Sequence, residues 1–136
     1  MDVSLKPFFR RKYLLTKSER VFYNILREAV RPHSVVPKVR IADLIEADRR
    51  HQLWLRNFRR ISPRHVDFVV CDAALSPIIA VELDDSSHEL SRRQKRDRDV
   101  DRIFELANMP IAHFPIQKEY CASEIERQLL AKIPKA

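Results

Sequence analysis

The chain of 136 residues contains no glycine. Average usage of about 7% would supply roughly ten. Every left-handed backbone position must therefore be taken by a residue with a side chain, and asparagine is among the least costly choices. Glycine-built ligand sites are excluded as well. A P-loop, a GxGxxG dinucleotide turn and a collagen-like repeat each need glycine for close backbone approach. Whatever anion this chain binds must be held by side chains and ordinary helix ends.

Charge says which kind of ligand to look for. Lys and Arg number 26 against 19 Asp and Glu, a formal charge of +7, and the pI is about 9.8. An anionic partner is the better first expectation, and the length suits one domain with one core. Cys71 and Cys121 are widely separated and match no zinc spacing. No signal peptide is visible and no apolar run approaches the roughly 20 residues that span a bilayer, so a cytoplasmic setting without membrane contact is expected.

The sequence orders its elements by local signals. Residues 1–15 mix basic and apolar side chains without a period and read as an arm, with the domain proper at 16–136. Thr16-Lys17-Ser18-Glu19 fits a capping box that opens a helix running to about Val30, with Phe22, Ile25, Leu26 and Ala29 on one face. Ser34 to Ile41 is β-branched and reads as a strand, and Pro37 marks it as an edge or bulge. Between Ala42 and Arg64, apolar residues scattered among arginines suggest short helices.

Val66–Cys71 and Ile78–Asp84 are the clearest strands and should form a hairpin. A capping box at Ser91 to Gln94 should start the next helix, burying Val100, Ile103, Phe104 and Ala107, and Asn108 should close it in the left-handed region. A strand at Ile111 to Ile116 follows. The last helix should start at Ser123, with Glu126 completing a capping box, and bury Ile125, Leu129 and Leu130. The order predicts an α/β fold, a mixed sheet flanked by helices.

Acids interrupt the two best strands. Glu82 and Asp84 share a face, because side chains alternate along a strand. If the hairpin is symmetric about its loop, Cys71 pairs with Ile78 and Asp67 lies opposite Glu82. Carboxylates so placed repel one another, and a hard divalent cation, Mg²⁺ or Mn²⁺, would compensate. A lone strand aspartate is usually a cap or a surface residue, and a one-residue slip would send Asp67 to the opposite face.

The runs HVDFVVCD, PIIAVELDDSSH and RQKRDRDVD, with TKSERVFYNIL upstream, resemble the bacterial domain of unknown function 2726, placed in the PD-(D/E)xK nuclease superfamily. They are also similar to very short patch repair endonucleases. The resemblance implies a restriction-endonuclease-like core of helix, three strands, helix, strand. It also implies a metal-dependent phosphodiesterase site, with Asp67 and Glu82 as the motif acids. The motif lysine is absent, because Asp84 stands in its place. His88 and Lys95 are the candidates for its role, although a lone histidine is more often structural.

Glu19 has two readings, helix cap or additional member of the metal cluster. Asp84 would be a third ligand or an acceptor behind the first two. Asp97 and Asp101 read as salt-bridge partners for arginines of their own helix. Arg92, Arg93, Arg96 and Arg98 beside the acids, and Arg59, Arg60 and Arg64 before the hairpin, are the expected DNA contacts. A solvated cationic face is the plainer account of the same arginines. The sequence thus predicts a Mg²⁺-dependent deoxyribonuclease acting in DNA repair, restriction or defence, as a homodimer or within a larger complex. The alternative is a catalytically silent nuclease fold that binds nucleic acid or protein.

Overall fold

The computed structural model describes residues 8–85 and 90–135, with side chains described for 8–85 and 98–135. The elements are α1 (Lys17–Ala29), β1 (Ser34–Arg40), a 3-10 turn (Ile41–Asp43), α2 (Trp54–Ile61), β2 (His65–Cys71), β3 (Pro77–Asp84), α3 (Leu90–Leu106), β4 (Ile111–Pro115) and α4 (Ala122–Lys132). One four-stranded sheet has the order β1-β2-β3-β4. The first two pairings are antiparallel and β3 with β4 is parallel. A parallel neighbour needs a crossover, which α3 supplies. The fold is the expected α/β arrangement with a mixed sheet.

Helix α1 begins as its sequence dictates. The Thr16 hydroxyl accepts from the Glu19 N–H at 3.2 Å, and Glu19 Oε1 accepts from the Thr16 N–H at 2.8 Å. Phe22, Leu26 and Ala29 are buried, as a stripe repeating every three or four residues requires. Leu15 is buried beside them, while Phe8, Phe9, Tyr13 and Leu14 are exposed.

The sheet separates two cores. On one face α1 and α4 cover Phe68, Val70, Ile79, Val81, Ala112 and Phe114. On the other Ile41, Ile45, Ile61, Val66, Val69, Cys71, Ala80 and Phe104 pack together. Alternation along β3 and β4 explains the division, since Ile79, Val81, Ala112 and Phe114 share one face while Ala80 and Ile111 take the other.

Without glycine, the left-handed positions fall to Lys38 (φ 53°), Leu75 (φ 62°) and Asn108 (φ 56°). Asn108 ends α3 as expected. Leu75 is held in the β2–β3 turn by Asp72, whose Oδ1 accepts from the N–H groups of Ala74 and Ser76, both at 2.9 Å. Ser86 and Ser87, which follow β3, lie outside the described residues.

Five local expectations are corrected. Cys71 pairs with Pro77 rather than Ile78, because a bulge at Val70/Cys71 shifts the register. Helix α3 already includes Leu90, so Ser91 sits within its first turn instead of capping it. Helix α4 starts at Ala122 behind Cys121, with no side-chain cap; Ser123 Oγ meets Cys121 Sγ at 3.1 Å. Ile125 and Leu129 are buried one turn apart, whereas Leu130, one residue further round the helix, is 61% exposed. Ala107 lies past the end of α3 and is likewise exposed.

Candidate active site

Asp67 occupies an interruption in the sheet. The β1–β2 ladder passes from Pro37↔Phe68 to Val39↔Val66 and skips Lys38, the strand residue with positive φ. On the other side, β2–β3 pairing reaches Phe68↔Val81. The Leu83 N–H, which alternation aims at β2, is bonded by Asp67 Oδ2 at 2.7 Å. A carboxylate thus takes the place of a backbone carbonyl where the strands part.

The same register continued by one step sets Asp67 opposite Glu82. Burial raises the Asp67 pKa above the usual carboxylate value. The bonds from Leu83 N–H and Glu82 oppose that rise, and the charges of Glu19 and Asp84 add to it. Two ionised carboxylates so placed repel one another, and a proton on one of them relieves the repulsion. A cation between them would serve the same purpose and leave both ionised.

Of its two predicted places, Glu19 fills the helix cap. Its Oε1 completes the α1 capping box, and its charge reaches Asp67 from the end of the helix. The cap satisfies the helix, so the residue bears on the cluster through space rather than as a proven donor.

Asp84 turns to a partner the sequence did not nominate. Its Oδ2 lies 3.0 Å from His113 Nδ1, and Asp101 Oδ1 lies 2.8 Å from His113 Nε2. The parallel register sets His113 beside Glu82 on β4. Burial lowers the His113 pKa, but the hydrogen bond and charge of Asp101, with those of Asp84, outweigh it and raise the value above the ordinary one. Asp101 is therefore engaged across the fold by His113, where the sequence had pointed to arginines of its own helix. A histidine at an alternating position of an apolar strand, IAHFP, was the available signal.

The remaining candidates divide by location. His88 lies outside the described residues, as do the side chains of Arg92, Arg93, Lys95, Arg96 and Asp97. Arg98 is exposed on α3, and Arg59 and Arg60 are exposed on α2. Arg64 is half-buried, and its Nη1 is buried without a hydrogen-bond partner. Arg64 lies three residues before Asp67, at the start of β2. A buried guanidinium nitrogen without an acceptor is costly, and a phosphate oxygen is the acceptor an arginine suits best.

Among the described residues, no three His, Cys, Asp or Glu side chains are grouped to hold a metal ion. Asp67 and Glu82 form a pair of hard oxygen donors. That set fits an ion such as Mg²⁺, which keeps several waters and uses one or two carboxylates.

Among the described residues no helix is long and apolar enough to cross a membrane. No curated protein and no solved structure matches the chain. The profile of the family described as Protein of unknown function (DUF2726) matches residues 11–133, which is nearly all of the sequence. Since that match takes in α1 through α4 and every described residue of the acidic cluster, the chain belongs to the DUF2726 family.

Proposed function

We propose that the chain is a metal-dependent phosphodiesterase of the PD-(D/E)xK type acting on DNA. The observation that carries this reading is the Asp67–Glu82 carboxyl pair at the parting of β2 and β3, with the charges of Glu19 and Asp84 close enough to act on it. Asp67 and Glu82 would hold Mg²⁺ or Mn²⁺. The chemistry such an ion supplies when bound is an acidified water and neutralised phosphate charge.

The chain's own residues supply positioning. Asp67 is fixed by the Leu83 N–H, so its carboxylate does not swing away from Glu82. Arg64, half-buried just before β2, would bring a positive charge near the phosphate. Asp84 serves as an acceptor behind the pair, held by His113, which in turn is braced by Asp101. Exposed Arg59 and Arg60 would neutralise neighbouring backbone phosphates without choosing a sequence.

The catalytically silent alternative rests on two specific observations. Asp84 replaces the motif lysine and is committed to His113, and no three-ligand group stands among the described residues.

The test is cleavage of single-stranded, double-stranded, nicked and branched DNA with Mg²⁺ or Mn²⁺, alongside calorimetric metal binding. Glu82→Gln should lower cleavage by about 100-fold or more while the protein stays folded, since several kcal/mol of charge stabilisation is lost. Metal binding that depends on Glu82, with no substrate cleaved, would favour the silent module. Cleavage undiminished in both Glu82→Gln and Asp67→Asn would remove this site.

A further inference from the structure

Helix α2 presents an aromatic and cationic surface that the acidic cluster does not use. Trp54 and Phe58, one turn apart, stack with ring centroids 5.5 Å apart and planes inclined by 16°. The Arg49 guanidinium lies 5.4 Å from the Trp54 ring centroid. Trp54 is half-buried at the wall of a groove of about 370 Å³ between the 3-10 turn region and α2, while Phe58 lies further out and is exposed.

The helix side of this surface is cationic, while Asp43, which is paired with Arg40, and Glu46 line the groove wall. From Arg49 to Arg64 the sequence carries arginines at 49, 50, 56, 59, 60 and 64 and no acid. Among the described residues only Arg50 of these is ion-paired, to Asp48. A flat aromatic stack edged by unpaired guanidinium groups suits a ligand with both a π-face and phosphates. Glu46 on the groove wall disfavours a phosphate inside the groove and can accept from a base amino group.

We propose that the Trp54–Phe58 stack is a platform for an unpaired base of single-stranded DNA. In a duplex the faces of the bases are covered by their neighbours, so an aromatic platform selects a strand whose bases are free or flipped out. An eight-residue helix is about 12 Å long, and the C-terminal end of α2 leads directly into β2 and Asp67. A strand stacked at Trp54 would pass its phosphates along Arg59 and Arg60 towards Arg64 and the acid pair. This assignment of substrate class rests on the proposed nuclease reading, with binding at the platform measurable apart from it.

Trp54 is the single tryptophan of the chain, so intrinsic tryptophan fluorescence reports on the platform alone. The full chain in EDTA is titrated with a 12-nucleotide single strand, the matching duplex, an abasic strand of the same length and polyglutamate. The single strand should quench Trp54 and bind about tenfold or more tighter than the abasic strand. Phe58→Ala, which removes the outer ring, should weaken single-strand binding by about tenfold and leave duplex binding unchanged. Trp54→Phe should retain most of the single-strand affinity measured by anisotropy, and Trp54→Ala should lose it.

Equal binding and quenching by the abasic strand or by polyglutamate would overturn the platform, as would single-strand affinity unchanged in Phe58→Ala. Because no metal is present, loss of this binding preference in a protein that still cleaves DNA rejects the platform and spares the nuclease reading. The preference without any cleavage supports the platform and rejects the nuclease.

Discussion

The two faces of the sheet are built on different principles. The α1/α4 face is aromatic and closed. Phe22 is fully buried, with the rings of Phe68, Phe114 and Tyr120 at 5.6, 5.5 and 5.0 Å. The opposite face is made mainly of aliphatic side chains, with Phe104 as the buried aromatic of its core. Along β3 that face passes from Ala80 to Glu82 and Asp84, and the neighbouring β4 residue is His113. One side of the sheet is given wholly to burial. The other gives up its strand ends to polar groups, among them Glu82, Asp84 and His113.

The largest test of this contrast is Phe22→Ala. It should cost about 3–5 kcal/mol, because a fully buried ring leaves a cavity among neighbours that cannot collapse onto it. Urea denaturation measures the loss. A cost below about 1 kcal/mol would mean that the aromatic face is not what holds the sheet.

On the other face the principal stabilising polar contact is His113. Its pKa is raised, so its contribution is fully present below the ordinary histidine value and is lost as pH rises through the raised one. Against wild type, His113→Ala should lose about 1–2 kcal/mol near pH 6, at the lower end for charge-assisted bonds because both carboxylate partners are about half exposed. The gap should shrink at higher pH. Denaturation at a series of pH values checks it, and a gap that widened with pH would contradict the assigned bonds.

The smallest effect has the opposite sign. The raised Asp67 pKa means that the folded chain holds a proton the unfolded chain has released, so stability falls as pH rises above the ordinary aspartate value. Asp67→Asn keeps an oxygen for the Leu83 N–H and removes the charge. It should stabilise the chain at pH 7 by about 0.5–1 kcal/mol, with the advantage fading below about pH 4. A destabilised Asp67→Asn would show that the carboxylate there is structural.

The elements were legible because their signals are local. TKSE specifies a reciprocal cap within one helical turn, and IIAVELD places Ala80 and Val81 on opposite faces by simple alternation. Asn108 was legible for the same reason, since a single residue's tolerance of positive φ decides it. The fine register was not. The bulge at Val70/Cys71 comes from how the whole hairpin settles against its neighbours, and it left the Asp67–Glu82 opposition intact while displacing the Cys71 pair. The start of α4 and the exposure of Leu130 also depend on packing. A helical pattern of Ile125, Leu129 and Leu130 permits either edge of the stripe to face outward, and contact with α1 and the sheet chooses.

For the site, the sequence by itself determined which acids share a strand face and that no glycine loop could cradle a phosphate. Covalent alternation and the missing residue type are enough for both conclusions. Only the tertiary structure decided that Asp84 would belong to His113, and His113 to Asp101. That triad joins β3, β4 and α3, whose relative placement follows from a parallel register set across a 17-residue helix and from the rotation of that helix over the sheet. Such a juxtaposition leaves no periodic trace in any one segment, because it arises from burying Phe104 and Ala80 in one core rather than from the polar residues it brings together.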